Sequence, residues 1–220
     1  MPNRSTPLGV VLLAASSDTG AATTAAITVP SRAIASVSPI AVRNRCRCPP
    51  VEGGNIRPAN FTNSATPIVA GDLLVVSSGN GPPTSAYRVS KKGAQWVVET
   101  AWENPEVPMR LSDAVAAGDV LFGISTRNAG QYFGVDVKTG KTLWTSEGRQ
   151  AGHAAIARSG DLLFSMEEDG ELIVARNSRT AFEPLHKYKL SDAATWAQPS
   201  YSGNRVFVKD VSTLALWTLN

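Results

Sequence analysis

The sequence predicts an all-β fold of repeated four-stranded antiparallel units, on three observations. Apolar segments of strand length alternate with turn signals through residues 61–220, a Gly-Asx pair recurs four times, and every aromatic residue lies in that stretch. Residues 1–60 contain no Phe, Tyr or Trp, whereas 61–220 contain all fifteen. Two kinds of chain are joined: an extension over 1–60 and a folded domain over 61–220.

A hydrophobic content of 43% is ordinary for a globular chain and supplies a core. Charge divides as the aromatics do. The first sixty residues carry six basic and two acidic groups, the remainder fifteen basic and sixteen acidic. The net charge of +3 therefore sits in the extension, and the folded part lacks the basic stripe that nucleic-acid binding requires.

The extension opens with Arg4 and an apolar run over 8–15, too short to span a membrane. It reads either as a weak secretory signal, as a disordered leader of Ala, Thr, Ser and Pro, or as an artefactual start. Cys46 and Cys48 are the only cysteines. Nothing beside them completes a zinc site; they read as an incidental pair in a loose tail, or, where exposed, as thiols that the flanking arginines make prone to oxidation.

The four pairs are Gly71-Asp72, Gly118-Asp119, Gly160-Asp161 and Gly203-Asn204, spaced by 47, 42 and 43 residues. That is the period of a β-propeller blade. Glycine as the first central residue of a type II′ turn takes positive φ, and the turn's twist matches that of its flanking strands. First strands are predicted at 66–70, 113–117, 154–158 and 199–202, and second strands at 73–77, 120–124, 162–166 and 205–209. The second set is richer in Val, Leu and Phe, as strands covered on both faces are. Third strands follow at 86–90, 132–137, 171–176 and 213–218, and fourth strands at 96–101, 142–147 and 187–190. The count is three full blades and a partial C-terminal one.

The clearest unit runs from Tyr132 to Gly148. Asp136 can accept hydrogen bonds from the turn that follows, Thr139-Gly140 makes that turn, Lys141 leaves it, and Trp144 can wedge between neighbouring blades. This unit resembles the pyrroloquinoline-quinone-like propeller repeat, whose motif places an Asp before a Thr-Gly turn, a Lys or similar residue after it and a Trp in the outermost strand. The first unit departs from the motif, with Lys92-Gly93 at the turn, Trp96 one residue nearer and Ser90 in the Asp position. The third uses Ser178-Arg179 and Tyr188. The resemblance covers about residues 62–220.

The resembled family usually has seven or eight blades, so the N-terminal side is expected to be truncated or replaced. The missing outer strand of the last blade is expected from the chain's N-terminal part, and a four-bladed ring closed by 25–30 or 34–42 is the alternative. Open blade edges leave room for self-association.

The family includes both quinone-dependent dehydrogenases and non-enzymatic envelope scaffolds. A quinone enzyme of this kind implies adjacent cysteines, a calcium-binding set, a catalytic Asp and a Trp stacked on the cofactor. No adjacent cysteines occur. Asp72, Asp119 and Asp161 each occupy the repeated turn of a different unit and are read as turn residues. His153 and His186 have no partner at a known catalytic spacing. The run 167–171, Glu-Glu-Asp-Gly-Glu, lacks the spacing of a calcium loop and is read as a solvated hairpin.

Recognition is therefore assigned to loops, which vary while blades stay rigid. The segments are 78–84 with Asn80 and Pro82, 125–130 with Arg127 and Asn128, and 103–112 with Arg110. The sequence thus points to a non-catalytic scaffold for protein partners with no cofactor and no metal. By its resemblance to outer-membrane assembly lipoprotein propellers it is placed in the periplasm or envelope of a bacterium, with the cytoplasm left open. The alternative is a fragment of a quinoprotein dehydrogenase that takes pyrroloquinoline quinone (PQQ) with calcium.

Overall fold

A computed structural model describes residues 65–78 and 83–219, together with the backbone of 23–26. Strand β1 (Thr23–Ala26) comes first in the chain. The next four, β2 (Ile68–Ala70), β3 (Leu73–Val76), β4 (Thr84–Lys92) and β5 (Gln95–Asn104), form one sheet in that order. A second sheet is β6 (Val115–Ala117), β7 (Val120–Ser125), β8 (Gln131–Asp136) and β9 (Thr142–Thr145). A third is β10 (Ala154–Ser159), β11 (Leu162–Glu167), β12 (Glu171–Arg176) and β13 (Glu183–Lys189). The last strands are β14 (Ser200–Ser202), β15 (Arg205–Lys209) and β16 (Leu214–Thr218). All pairings are antiparallel. The strands β2–β13 belong to one compact unit, and β1 with β14–β16 to another.

In each sheet the first hairpin closes on the Gly-Asx pair. Ala70 pairs with Leu73, Ala117 with Val120, Ser159 with Leu162 and Ser202 with Arg205, which leaves two residues in each loop. The four glycines have φ of 65°, 62°, 57° and 60°. Positive φ outside glycine is confined, among the described residues, to Asn128, Ala129 and Arg149. Positive φ at the first central residue and not at the second is the type II′ pattern.

Side-chain alternation lets β7 and β8 serve two cores at once. Leu121, Phe133 and Val135 meet Leu73, Val75, Ala86 and Trp102 of the first sheet. Val120, Phe122, Ile124 and Tyr132 meet Ile156, Leu163, Ile173 and Ala175 of the third. All six residues of β7 are buried in consequence. Each such aliphatic or aromatic side chain contributes about 1.5–3 kcal/mol on burial.

A β-bulge recurs at one register in all three sheets, between Ala86 and Tyr87, Gly134 and Val135, and Val174 and Ala175. It turns the fourth strand against the third and increases local twist.

In the smaller unit the order is β1-β16-β15-β14, with Thr23 opposite Thr218 and Ala26 opposite Ala215. The last sheet therefore has four strands where consecutive reading of the chain gives three. Its fourth strand comes from the segment read as an extension and overlaps the 25–30 candidate by two residues. The edge of β16 presents unpaired backbone groups that an antiparallel strand satisfies, whatever that strand's composition.

Candidate protein-interaction face

The two ends of the sheets in the larger unit are built differently. One end carries the short turns. There Asp136 Oδ1 accepts hydrogen bonds from the Lys138 amide (3.1 Å), the Thr139 amide (3.0 Å) and the Thr139 hydroxyl (2.9 Å). Arg179, from the β12–β13 connection, donates to Asp136 Oδ2 at 3.0 Å and also pairs with Asp119, tying the third sheet to two turns of the second. The Arg179 guanidinium, with help from Thr139, holds the Asp136 carboxyl below its ordinary range. Asp72 is held low in the same sense by Arg88 at 2.8 Å. The backbone carbonyls of Asp119 and Asp161 accept from Val137 and Asn177, both at 2.8 Å. In the smaller unit Asn204 does the same for Leu219 at 2.8 Å.

The seams between sheets are wedged by indoles. Trp144, opposite Gly134, donates to the Ser178 carbonyl at 3.0 Å. Its ring lies 5.9 Å from that of Phe122 and 6.3 Å from that of Phe182. The equivalent indole of the first sheet is Trp102, opposite Ala86, which donates to the Val137 carbonyl at 2.7 Å and lies over Gly140. Trp96, the residue the sequence nominates for this place, is 43% exposed and stands 5.8 Å from Lys91 Nζ, whereas Trp102 is 7% exposed. Sixteen residues separate Ala86 from Trp102 and ten separate Gly134 from Trp144, so counting back from the turn selects the wrong indole in the longer hairpin. In the third sheet the matching position opposite Val174 is His186 rather than Tyr188.

The other end carries the longer connections, and their bases are fixed by buried polar groups. The Thr84 hydroxyl donates to the Val107 carbonyl (2.6 Å) and lies 2.7 Å from Ser77 Oγ, which accepts the Met109 amide at 2.8 Å. Asn104, the last residue of β5, takes the Glu106 amide on its side-chain carbonyl (2.8 Å), while its side-chain amide reaches the β8–β9 turn of the second sheet and donates to Gly140 O (2.7 Å) and Thr142 Oγ1 (2.9 Å). Ser112 Oγ accepts the Ala154 amide at 3.1 Å. The β5–β6 connection is thus held to three sheets along its length.

Above these bases stand the nominated residues Arg110, Arg127 and Asn128, all exposed. Arg127 Nη2 donates to Pro105 O at 3.0 Å, and Thr126 N to Pro108 O at 2.9 Å. Asn128 O accepts the Arg149 amide at 2.9 Å, so the 126–130 and 146–150 loops close on one another. The contact is tight enough that Asn128, Ala129 and Arg149 take φ of 50°, 59° and 61°. Gly130 faces the backbone of Ala151 with no room for a Cβ. Each such left-handed non-glycine residue costs about 1–2 kcal/mol. Asn80 and Pro82 lie outside the described residues.

On the third sheet this end carries a buried carboxyl. Glu167, 3% exposed, accepts a hydrogen bond from the Tyr132 hydroxyl at 2.8 Å across the seam, and that hydroxyl lies 2.7 Å from Ser165 Oγ. Burial pushes the Glu167 carboxyl up to about 7 and the Tyr132 phenol well above its usual value. Glu168 accepts the amides of Gly152 and His153, both at 2.7 Å, with His153 Nδ1 3.6 Å away. His153 is thereby tied to a loop base. Asp169 and Gly170 form the β11–β12 turn, with Asp169 Oδ1 taking the Glu171 amide at 3.0 Å, so the acidic run is a hairpin. His186 sits on β13 with its ring 5.9 Å from that of Tyr188.

A family model described as outer membrane protein assembly factor BamB matches residues 54–146. Over that stretch the repeats are similar to the pyrroloquinoline-quinone-like propeller repeat, and the fold is that of a β-propeller. Three solved structures show the same fold. The repeats are similar to BamB from Moraxella catarrhalis, with TM-score 0.52 and 15% identity over 71% of this chain and 44% of that one. The computationally designed Ika4 protein gives TM-score 0.55 and 13% identity over 78% and 96%. The WD40 propeller domain of Doa1 gives 0.51 and 13% over 74% and 53%. The propeller chain thus spans less than half the length of the BamB structure. No curated protein sequence matches it. No described helix is long and apolar enough to cross a membrane.

Sequence reasoning missed Trp102, Arg179, the Tyr132–Glu167 pair and the buried hydroxyls under the loops. Only Trp102 had a signal of its own, as an aromatic residue one position past the predicted outer strand 96–101, which in the structure runs to Asn104.

Proposed function

We propose that this propeller is a non-catalytic scaffold that binds protein partners through its loop end, in the envelope of a bacterium. One observation carries the reading: exposed Arg110, Arg127, Asn128 and Arg149 stand on connections whose bases are fixed by buried hydrogen bonds. A surface already rigid before contact loses little conformational entropy on binding. The family model's description, an outer-membrane assembly factor, supports the compartment and a role in assembly with other proteins.

The test places a photo-crosslinking amino acid at Arg127, at Arg110 and, as control, at Lys138 on the turn end, in a bacterium that exports the chain. Adducts with one defined protein from the two loop sites and not from Lys138 support the reading. Equal labelling at all three sites overturns it. Titration with PQQ and calcium, followed by tryptophan fluorescence, bears on the alternative. Saturable quenching that needs calcium replaces the scaffold with a quinoprotein fragment.

A further inference from the structure

Glu167 is the one acidic side chain among the described residues that is fully buried. It stands at the end of β11, on the seam between the second and third sheets, and β8, β13 and its own hairpin each present a group that responds to its charge. From β8 the Tyr132 hydroxyl donates to its Oε1 at 2.8 Å. From its own hairpin, Asp169 and Glu171 bring carboxylate oxygens so close that the three groups lie within 4.8 Å of one another. From β13, Lys187 pairs with Glu171 at 4.0 Å. On the β10 side Ala154 lies opposite, and the neighbouring His153 and Glu168 pair with each other. Its backbone carbonyl holds the loop that follows β13, accepting the Thr195 hydroxyl at 2.7 Å and the Gly170 amide at 3.1 Å.

We infer that Glu167 is a proton-operated latch: protonated, it holds the β11–β12 hairpin against the second sheet and the 190–195 connection on that hairpin, and ionised, it loosens them. The physical basis is the number of charges in one small space. With Glu167 neutral the trio carries two negative charges; with Glu167 ionised it carries three, one of them buried and stabilised by a single phenolic donor. Opening the hairpin hydrates that carboxylate and separates it from Asp169 and Glu171. The released proton goes to solvent.

The sign follows from the direction of the shift. Burial raises the carboxyl above its ordinary 4.5 to about 7, so the closed form binds the proton more tightly than the open form. Closure is favoured fully below about 4.5 and its proton-linked part is lost as pH rises through 7. The loop end of the third sheet is therefore firm in mildly acidic surroundings and loose in alkaline ones. The same end carries the proposed recognition loops, but the latch holds whatever those loops bind.

The experiment is hydrogen exchange on the full chain between pH 5.5 and 8.5, corrected for intrinsic exchange and read at Gly170, Ser191 and Thr195. Their amides bond to Glu167 O, Gly170 O and Glu168 O. Protection at these sites is expected to fall by about tenfold or more across the range, while amides of β3 and β7 hold theirs. Glu167→Gln removes the dependence. Tyr132→Phe deletes the donor that favours the ionised form and moves the midpoint to higher pH, whereas Asp169→Asn removes a like charge and moves it lower. An unchanged pH dependence in Glu167→Gln overturns the inference. So does a midpoint that Tyr132→Phe and Asp169→Asn fail to move in opposite directions, which decides the matter even where Glu167→Gln does not fold.

Discussion

Two tryptophans of the first sheet, six residues apart on one strand, are expected to differ by several kcal/mol when removed. Trp102 is 7% exposed, packs between the first and second sheets, and donates its indole N–H to the Val137 carbonyl at 2.7 Å. Trp102→Ala opens a cavity in that seam, for which Trp-to-Ala losses of about 3–5 kcal/mol are the norm. The Val137 carbonyl loses its indole donor as well, within a further 1–3 kcal/mol or so. A net cost of about 4 kcal/mol corresponds to a melting temperature lower by roughly 8–16 °C for a unit of this size. Trp102→Phe keeps most of the packing and loses the hydrogen bond, for about 1–2 kcal/mol. Trp96→Ala removes a 43% exposed ring whose contact is with Lys91, for less than about 1 kcal/mol. Scanning calorimetry with urea unfolding at one protein concentration measures all three. If Trp96→Ala costs as much as Trp102→Ala, the bulge-based alignment of the two sheets is wrong, and the seam is wedged by the residue nearer the turn.

Three further substitutions probe the turn end. Gly140 and Gly93 both have positive φ, 71° and 62°, but a Cβ at Gly140 runs into the Trp102 ring while one at Gly93 meets nothing. Gly93→Ala is expected to cost only the left-handed conformation, about 1 kcal/mol, and Gly140→Ala at least twice that, by urea unfolding; equal costs would count against the Trp102–Gly140 contact. Arg179→Ala is expected to weaken the chain at pH 7 and low salt, with a smaller effect at high salt. Because Arg179 lowers the Asp136 carboxyl, the stabilisation it gives is present above the ordinary value of 3.8 and lost as pH falls below it. Wild type and variant are therefore expected to converge as pH falls below 3.8, and a difference that shows no dependence on pH in that range removes Asp136 from the account.

Much of the fold is legible because the Gly-Asx turn leaves little freedom. A two-residue loop with positive φ at its first position sets the pairing of the strands on either side, so first and second strands fall within two residues of their predicted starts. Third strands follow the same register. The outer strands of the first two sheets start within one residue of prediction and that of the third starts four residues early. The residue that fills the seam does not follow from the start, because the hairpin between third and fourth strands varies in length and a bulge intervenes at Ala86, Gly134 and Val174. Neither feature leaves a mark in hydrophobic alternation. Arg179 was illegible for another reason: its carboxylate partners lie 43 and 60 positions away, and nothing short of the packed sheets places it beside them. Strand β1 has four small residues, and its pairing reflects the need of β16 for a partner more than any preference of Thr23–Ala26.

At the turn end of the larger unit, the polar groups of each loop are engaged close by: Asp136 by its own turn and by Arg179, Asp72 by Arg88, and the carbonyls of Asp119 and Asp161 by Val137 and Asn177. Groups engaged in this way have little left to offer another molecule, and lengthening a two-residue turn would slip the strand register. The opposite end has its fixed hydrogen bonds one layer down, at Ser77, Thr84 and Ser112, so the residues above them can change without disturbing the sheets. Glu167 lies in that lower layer too. A group placed there acts on the loops through their anchors and leaves their tips unaltered, which is why its titration is expected to change the firmness of the surface rather than the identity of what it presents.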